Sequence, residues 1–200
     1  MEKTSLKPGT LLAPLPPAMV SCGTYENPNI ITVGWTGIIN SQPPMTYISV
    51  RKSRFSHGII SEGRDFVINL TSADLVKAAD FCGVRSGRDV NKFEAMGLHP
   101  QMSEKVVSPA IEEAVLSIEC KVTRIEELGS HDMFYADIVN VRADSSLMDK
   151  NGRLALDKAN LVAYSHGEYF ALGKKLGKFG FSVQKKKKHK KAPPKKPAGK

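Results

Sequence analysis

Arg51-Lys52-Ser53-Arg54-Phe55-Ser56 sets two hydroxyls at i and i+3 among three cations, at a point where the pattern predicts a helix to begin. Backbone N–H groups at a helix start have no intrahelical partner, and the helix dipole favours negative charge there. Ser hydroxyls beside Arg and Lys supply charge-assisted hydrogen bonds, so the segment can surround a phosphate. The same residues also read as a capped surface helix with solvated charges, since Ser is a common N-cap. A second stretch, Cys82 to Phe93 (CGVRSGRDVNKF), is rich in Gly and Ser and carries Arg85, Arg88 and Lys92. It can add a cation and backbone donors to the same anion, or serve as a solvated connector. Upstream, Trp35 to Gly37 offers an aromatic ring and backbone groups to something flat, while burial in the core is the other reading of a lone Trp. A phosphate grip beside a flat-ring grip suggests a mononucleotide cofactor.

Other chemistries lack their residues. The glycines at 173, 177 and 180 have the wrong spacing for GxGxxG, and GxxxxGK[ST], HExxH and GxSxG do not occur. A stable dinucleotide on a Rossmann module is therefore not expected. The five histidines (57, 99, 131, 166 and 189) stand singly and read as structural or solvated. Cys22, Cys82 and Cys120 are widely spaced and odd in number, which argues for a reducing compartment and against a structural zinc site.

The elements that position these residues are mainly strands. Met19 and Val20 open a short strand, Glu26 to Asn29 form a hairpin turn, and Ile30 to Trp35 read as the return strand. Met45 to Val50 follow after a loop through Ser41, Gln42, Pro43 and Pro44, whose prolines belong outside a ladder. Ser53 suits an N-cap, Phe55 and Ile59 share a face, and Gly63 can close a helix of about ten residues. Phe66, Ile68 and Leu70 alternate as a strand with one face in the core, and a second helix runs from Ser72 or Ala73 to about Cys82, stopped by Gly83. Ala114 to Glu126, with Leu116, Ile118, Cys120 and Val122 inward, pairs through Gly129 to Asp132 with Met133 to Val141. Long antiparallel strands with two short helices fit a β-barrel better than a doubly wound sheet.

Of the 200 residues, 41% are apolar and 24% charged, an ordinary globular composition. The net charge of +9 is not spread evenly: residues 185–200 (KKKKHKKAPPKKPAGK) hold nine Lys and no acid, leaving the preceding 184 residues balanced at 20 basic and 20 acidic. The expected division is thus a domain over 1–184 and a disordered Lys-rich tail over 185–200. Such a tail gives non-specific, salt-dependent contact with nucleic acid but has no aromatic residue for base stacking. No apolar run approaches a membrane span or a signal-peptide core, which predicts a soluble, cytoplasmic protein.

The order and spacing of NIITVGW, a PP before a strand, VRKSRFSHGII, DFVINL, CGVRSGRDVNKF and YFALGKKLGKFGFS resemble the flavin reductase-like, FMN-binding split-barrel family, and within it the flavoredoxin group. The resemblance covers roughly Pro14 to Ser182. It implies a six-stranded antiparallel split β-barrel that forms a homodimer, with one FMN per subunit near the interface. Trp35, Thr36 and Gly37 would then run along the isoalloxazine ring; Arg51, Lys52, Ser53 and Ser56 would hold the phosphate; and Lys92 would approach the cofactor. No catalytic acid or base is implied, because the cofactor carries the reactivity. His166 and Tyr164 would border the ring face or belong to a packed C-terminal element. The implied activity is NAD(P)H:flavin oxidoreduction. Electron carriage of the flavoredoxin type, ferric-chelate reduction, and a module that binds haem, nucleic acid or no cofactor are the alternatives.

Overall fold

The hydrophobic alternation read from the sequence folds into one curled antiparallel sheet. The structure, a computed structural model, describes residues 1–184; the Lys-rich tail expected at 185–200 lies outside the described residues. In chain order the elements are β1 (Ala18–Gly23), β2 (Pro28–Val33), β3 (Thr36–Ser41), β4 (Pro44–Arg51), α1 (Phe55–Gly63), β5 (Asp65–Asn69), α2 (Val76–Val84) and α3 (Lys92–Met96). They continue with β6 (Pro100–Gln101), β7 (Ala110–Ile111), β8 (Leu116–Glu127), β9 (His131–Ala143), β10 (Val162–Ser165) and β11 (Glu168–Ala171). The protein is mainly β with short helices, as expected.

The main sheet is seven-stranded, in the order β2-β1-β5-β8-β9-β4-β3. Its two outermost strands, β2 and β3, are consecutive in the chain and separated only by Gly34 and Trp35. Two residues cannot span a flat sheet of this width, so the sheet curls until its edges meet, which gives an incompletely closed barrel. The strand beyond the expected six is β3, in the stretch between Trp35 and Pro44. Ile38 to Ser41 are exposed, so this strand shows no buried alternation for a pattern argument to find. Both prolines were expected outside the sheet. Pro43 lies in the turn, but Pro44 opens β4 opposite Ser41, a first-residue position that tolerates a missing donor.

Two apolar clusters divide the side chains of the β1–β2 pair. Ala18, Val20, Cys22, Ile31 and Val33 point into the barrel with Ile48, Phe66 and Phe134. Met19 and Ile30 point the other way, onto Ala78, Ala79 and Cys82 of α2 and Phe93 of α3. β5 is therefore buried along its whole length instead of on one face. On α1 the buried pair is Ser56 and Ile60, one position on from the expected Phe55 and Ile59 stripe, and Ile60 joins the barrel cluster. The helix is closed by Arg64 in the left-handed region (φ 58°), whose N–H reaches the Ile60 carbonyl, where Gly63 was expected. α2 is preceded by a 3-10 turn over Ala73–Leu75 and runs through Gly83, the expected stop.

The polar knot of the fold is Asn69, fully buried at the end of β5. Its amide donates to the Met19 carbonyl at 3.0 Å and the Ser21 hydroxyl at 2.9 Å. Its oxygen accepts from the Ile111 N–H at 3.1 Å and the Ser117 hydroxyl at 2.8 Å. It thereby links β1, β5, β7 and β8. Replacing Asn69 with Leu orphans several of these groups at once, and a buried group left unpaired costs about 1–3 kcal/mol. The Asn69→Leu variant is expected to unfold at a clearly lower urea midpoint with an unchanged m-value.

Candidate functional site

The turn from β4 into α1 creates a cation-lined concavity. The Arg54 N–H bonds the Arg51 carbonyl at 3.0 Å, and Arg54 occupies the N-cap position of α1 without a side-chain cap. Ser53, expected to be that cap, lies one residue earlier and its hydroxyl is not spent on the helix. A cavity of about 370 Å³ opens here, and Arg51, Ser53, Arg54, Ser56, Arg85 and Lys92 all line it. No carboxylate lines it. Three guanidinium groups, an ammonium and two hydroxyls at the start of a helix make an anion site, and the planar forks of Arg suit phosphate oxygens.

The far wall is the loop after α2. Gly87 lies so close to Asn29 that a Cβ on it would fall 2.0 Å from the Asn29 Oδ1. Only a residue without a side chain lets the backbone approach this closely. Asn29 Nδ2 in turn donates to the Ser56 hydroxyl at 2.7 Å, which ties this wall to α1. Lys92 is buried at the base, where its ammonium donates to the carbonyls of Ile30 (2.6 Å) and Cys82 (2.8 Å). Burial, against the nearby Cys82 and Cys22, holds its pKa below the ordinary lysine value. An anion in the cavity would act in the opposite direction. Cys82 also lines the cavity, but burial pushes its thiol up to about 11, so it is not a thiolate nucleophile near neutrality.

A second space, about 160 Å³, shares Ile31, Arg51 and Arg54 with the first and runs along the end of β2 to Trp35. Trp35 is 37% exposed, which removes the core reading. Its ring lies 4.5 Å from that of His131 at 35°. Burial and the charges of Arg51 and Arg54 hold the His131 pKa below the usual histidine value, partly offset by Asp132. A cation cavity that shares a wall with a groove bordered by a tilted ring pair can take a phosphate joined to a flat ring.

Five of the expected site residues are brought together: Arg51, Ser53, Ser56 and Lys92 in the cavity, and Trp35 in the groove beside it. Three are not. Lys52 turns away to an ion pair with Glu127 and lies 3.5 Å from Asp132. Thr36 and Gly37 belong to β3, where the Thr36 hydroxyl donates to the Tyr47 carbonyl at 2.6 Å and the Gly37 carbonyl accepts from the Thr46 hydroxyl at 2.9 Å. Neither lines the cavity or the groove. Arg54 and Arg85, offered by the sequence as cations available to the anion, both line the cavity. α3 is an additional helix, and its sequence signal is Asn91 followed three residues later by Glu94. Asn91 Oδ1 accepts from the N–H groups of Phe93 and Glu94 and so sets Lys92 on the first turn.

The sequence profile of the flavin reductase like domain matches residues 12–173. The chain belongs to this family. The solved structure of the flavoredoxin of Desulfovibrio vulgaris (Miyazaki F) is similar, with a TM-score of 0.85 and 32% identity, over 92% of this chain and 100% of that one. An FMN-binding protein from Thermus thermophilus, crystallised with 1-cyclohex-2-enone, superposes with a TM-score of 0.71 at 26% identity, covering 86% of this chain and 94% of that one. A curated relative, the NADPH-flavin oxidoreductase of Streptomyces viridifaciens, is 27% identical over 143 residues, 68% of this chain and 72% of the relative. The curled sheet described above is accordingly the split barrel of flavin reductase-like proteins. Among the described residues no helix is long and apolar enough to cross a membrane, and no cluster of three His, Cys, Asp or Glu side chains could hold a metal ion.

The His131 environment gives a direct electrostatic readout of the cavity. Arg54→Gln removes one of the charges that depress its pKa, so the variant is expected to shift the His131 titration, followed by NMR of the ring protons, to higher pH.

Proposed function

We propose that this protein binds FMN in the cavity and groove and moves electrons through it as an NAD(P)H-dependent flavin oxidoreductase. The observation that carries the reading is that the two spaces adjoin through Ile31, Arg51 and Arg54, with four cations and three serines without a carboxylate on one side, and Trp35 with His131 on the other. Arg51, Arg54 and Arg85 would share the phosphate charge, Ser53 and Ser56 would donate to its oxygens, and Lys92 would add a buried cation below it. The chain would leave the ring end open to a reaction partner, since Trp35 and His131 border a groove at the seam of the barrel. The bound flavin supplies the redox chemistry, and the protein supplies orientation, charge and access. This division of labour accounts for a site with several cations and no evident catalytic acid.

The similarity to a flavoredoxin favours a second reading, in which the protein carries electrons between proteins and does not turn over a nicotinamide. Oxidation of NADH or NADPH in proportion to the flavin reduced supports the oxidoreductase. Flavin that stays oxidised under anaerobic NAD(P)H, yet accepts electrons from a reduced redox protein, supports the carrier. A homodimer is part of either reading and is checked by sedimentation equilibrium.

The purified protein is expected to be yellow, or to become so with added FMN. Replacing Ser53 with Ala and Arg54 with Gln together removes charge-assisted bonds worth about 1.5–3 kcal/mol each, so FMN affinity should fall at least about tenfold. Riboflavin, which lacks the phosphate, should lose less than about threefold, by the same contact argument. Equal losses measured by fluorescence titration would place the phosphate elsewhere.

A further inference from the structure

Beyond β11 the chain leaves the barrel as an arm. The Leu172 N–H still bonds the Leu161 carbonyl, at 3.4 Å, but from there to Gln184 every residue except Gly180 is exposed. The backbone hydrogen bonds of the arm join its own residues, Phe181 N–H to the Lys178 carbonyl at 2.9 Å and Val183 N–H to the Gly180 carbonyl at 3.3 Å. Gly180, in the left-handed region at φ 79°, turns the chain. The Phe181 ring then lies so close to Gly177 that a Cβ there would fall 2.6 Å from it. The arm thus has a shape of its own, while its side chains stay uncovered.

Two kinds of side chain alternate along it. Leu172, Leu176, Phe179, Phe181 and Val183 are between 61% and 107% exposed. Single exposed apolar residues are ordinary on a folded protein, whereas a run of large ones on one segment marks an interaction site. Lys174, Lys175 and Lys178 stand between them, the sequence continues with the nine Lys of residues 185–200, and no Asp or Glu occurs from Leu172 onward.

We infer that the arm docks reversibly on an anionic lipid bilayer, with its Leu and Phe side chains in the interface and its lysines on the headgroups. A bilayer surface takes both kinds of side chain at once, since apolar groups enter the acyl boundary while basic groups stay at the negative headgroups. Nucleic acid would satisfy the lysines and could stack on Phe179 and Phe181, but it offers no apolar phase to Leu172, Leu176 and Val183. A second copy would offer apolar surface but no net charge to the lysines, because residues 1–184 balance at 20 basic and 20 acidic. The arm is far shorter than the roughly 20 apolar residues of a span, so the attachment lies on the surface. The inference does not rest on the flavin reading.

The test uses the full chain, with phosphatidylcholine vesicles as probes, prepared with and without phosphatidylserine. Co-sedimentation is expected to show binding at least about tenfold tighter to the serine-containing vesicles, weakening as salt is raised. A Phe179→Trp variant reports insertion: its emission, less that of Trp35, should shift to the blue on the anionic vesicles only. Phe179→Ser combined with Phe181→Ser changes two exposed side chains, so the barrel should keep its circular dichroism while vesicle affinity falls at least about tenfold. Equal binding to both kinds of vesicle, or none to either, overturns the inference. Undiminished binding by the double variant, or adsorption without a blue shift, overturns it too, since either leaves only the charge of the lysines. If the double variant loses a dimer in sedimentation equilibrium and keeps its vesicle binding, the arm belongs to a second copy. A preference for a single-stranded oligonucleotide over the anionic vesicles in competition assigns it to nucleic acid, and the inference fails in both cases.

Discussion

The corner formed by Gly34 and Trp35 is the constraint on which the rest of the structure turns. It joins the two terminal strands of a seven-stranded sheet with only two residues, so the sheet has to close on itself. The Ser49 N–H bonds the Trp35 carbonyl at 2.9 Å, which fixes the corner to β4. Because the edges meet here, the cation cavity and the ring groove lie side by side along one seam and share Ile31, Arg51 and Arg54. The end of β2 and the corner after it contribute to both: Ile31 to each, and Thr32, Val33, Gly34 and Trp35 to the groove.

The clustering of like charge at this seam has an energetic meaning. Arg51, Arg54, Arg85 and a buried Lys92 line one cavity without a carboxylate. Burying an ammonium is costly unless its protons are satisfied, and two carbonyls offset part of that cost for Lys92. The mutual repulsion that remains is relieved by an anion, so the site is organised in advance of its ligand instead of being assembled by it. Local stability is thereby exchanged for complementarity, and the contacts of Gly87 on Asn29 and of Asn29 on Ser56 keep the two walls in place.

How far the sequence made this legible depended on what each residue's neighbours do. β8 and β9 were readable because each has one face in the barrel and one outside, giving alternation over many residues. β3 was not, since its isoleucines are exposed and its pairing comes from β4 alone. Ser53 had the right residue type and the right cavity but not the expected capping role, because the turn from Arg51 places Arg54 at the cap. Lys52 could not be told from Arg51 by sequence. Its partners, Glu127 and Asp132, come from a hairpin some 75 residues away. Thr36 and Gly37 were assigned to the ring by resemblance, and in the structure their polar groups serve the ladder to β4. Arg85 was legible as a cation available to the same anion, whereas the packing of its loop, with Gly87 against Asn29 and Phe55, is a tertiary contact that no local pattern carries.

The ammonium of Lys92 also bears on how the molecule keeps to itself. β2 is a terminal strand, and a bare strand edge is a template on which a foreign strand can add. Lys92 holds the Ile30 carbonyl and α3 packs against the same strand, so that template is already interrupted. The opposite edge is guarded differently: β3 carries exposed Ile38 and Ile39 and a register shift between Ile38 and Asn40 that breaks the regular ladder. The two edges that the corner brings together are thus protected by unlike means, one by a buried charge and the other by an irregular backbone. A change at Lys92 would therefore trade solubility as well as charge.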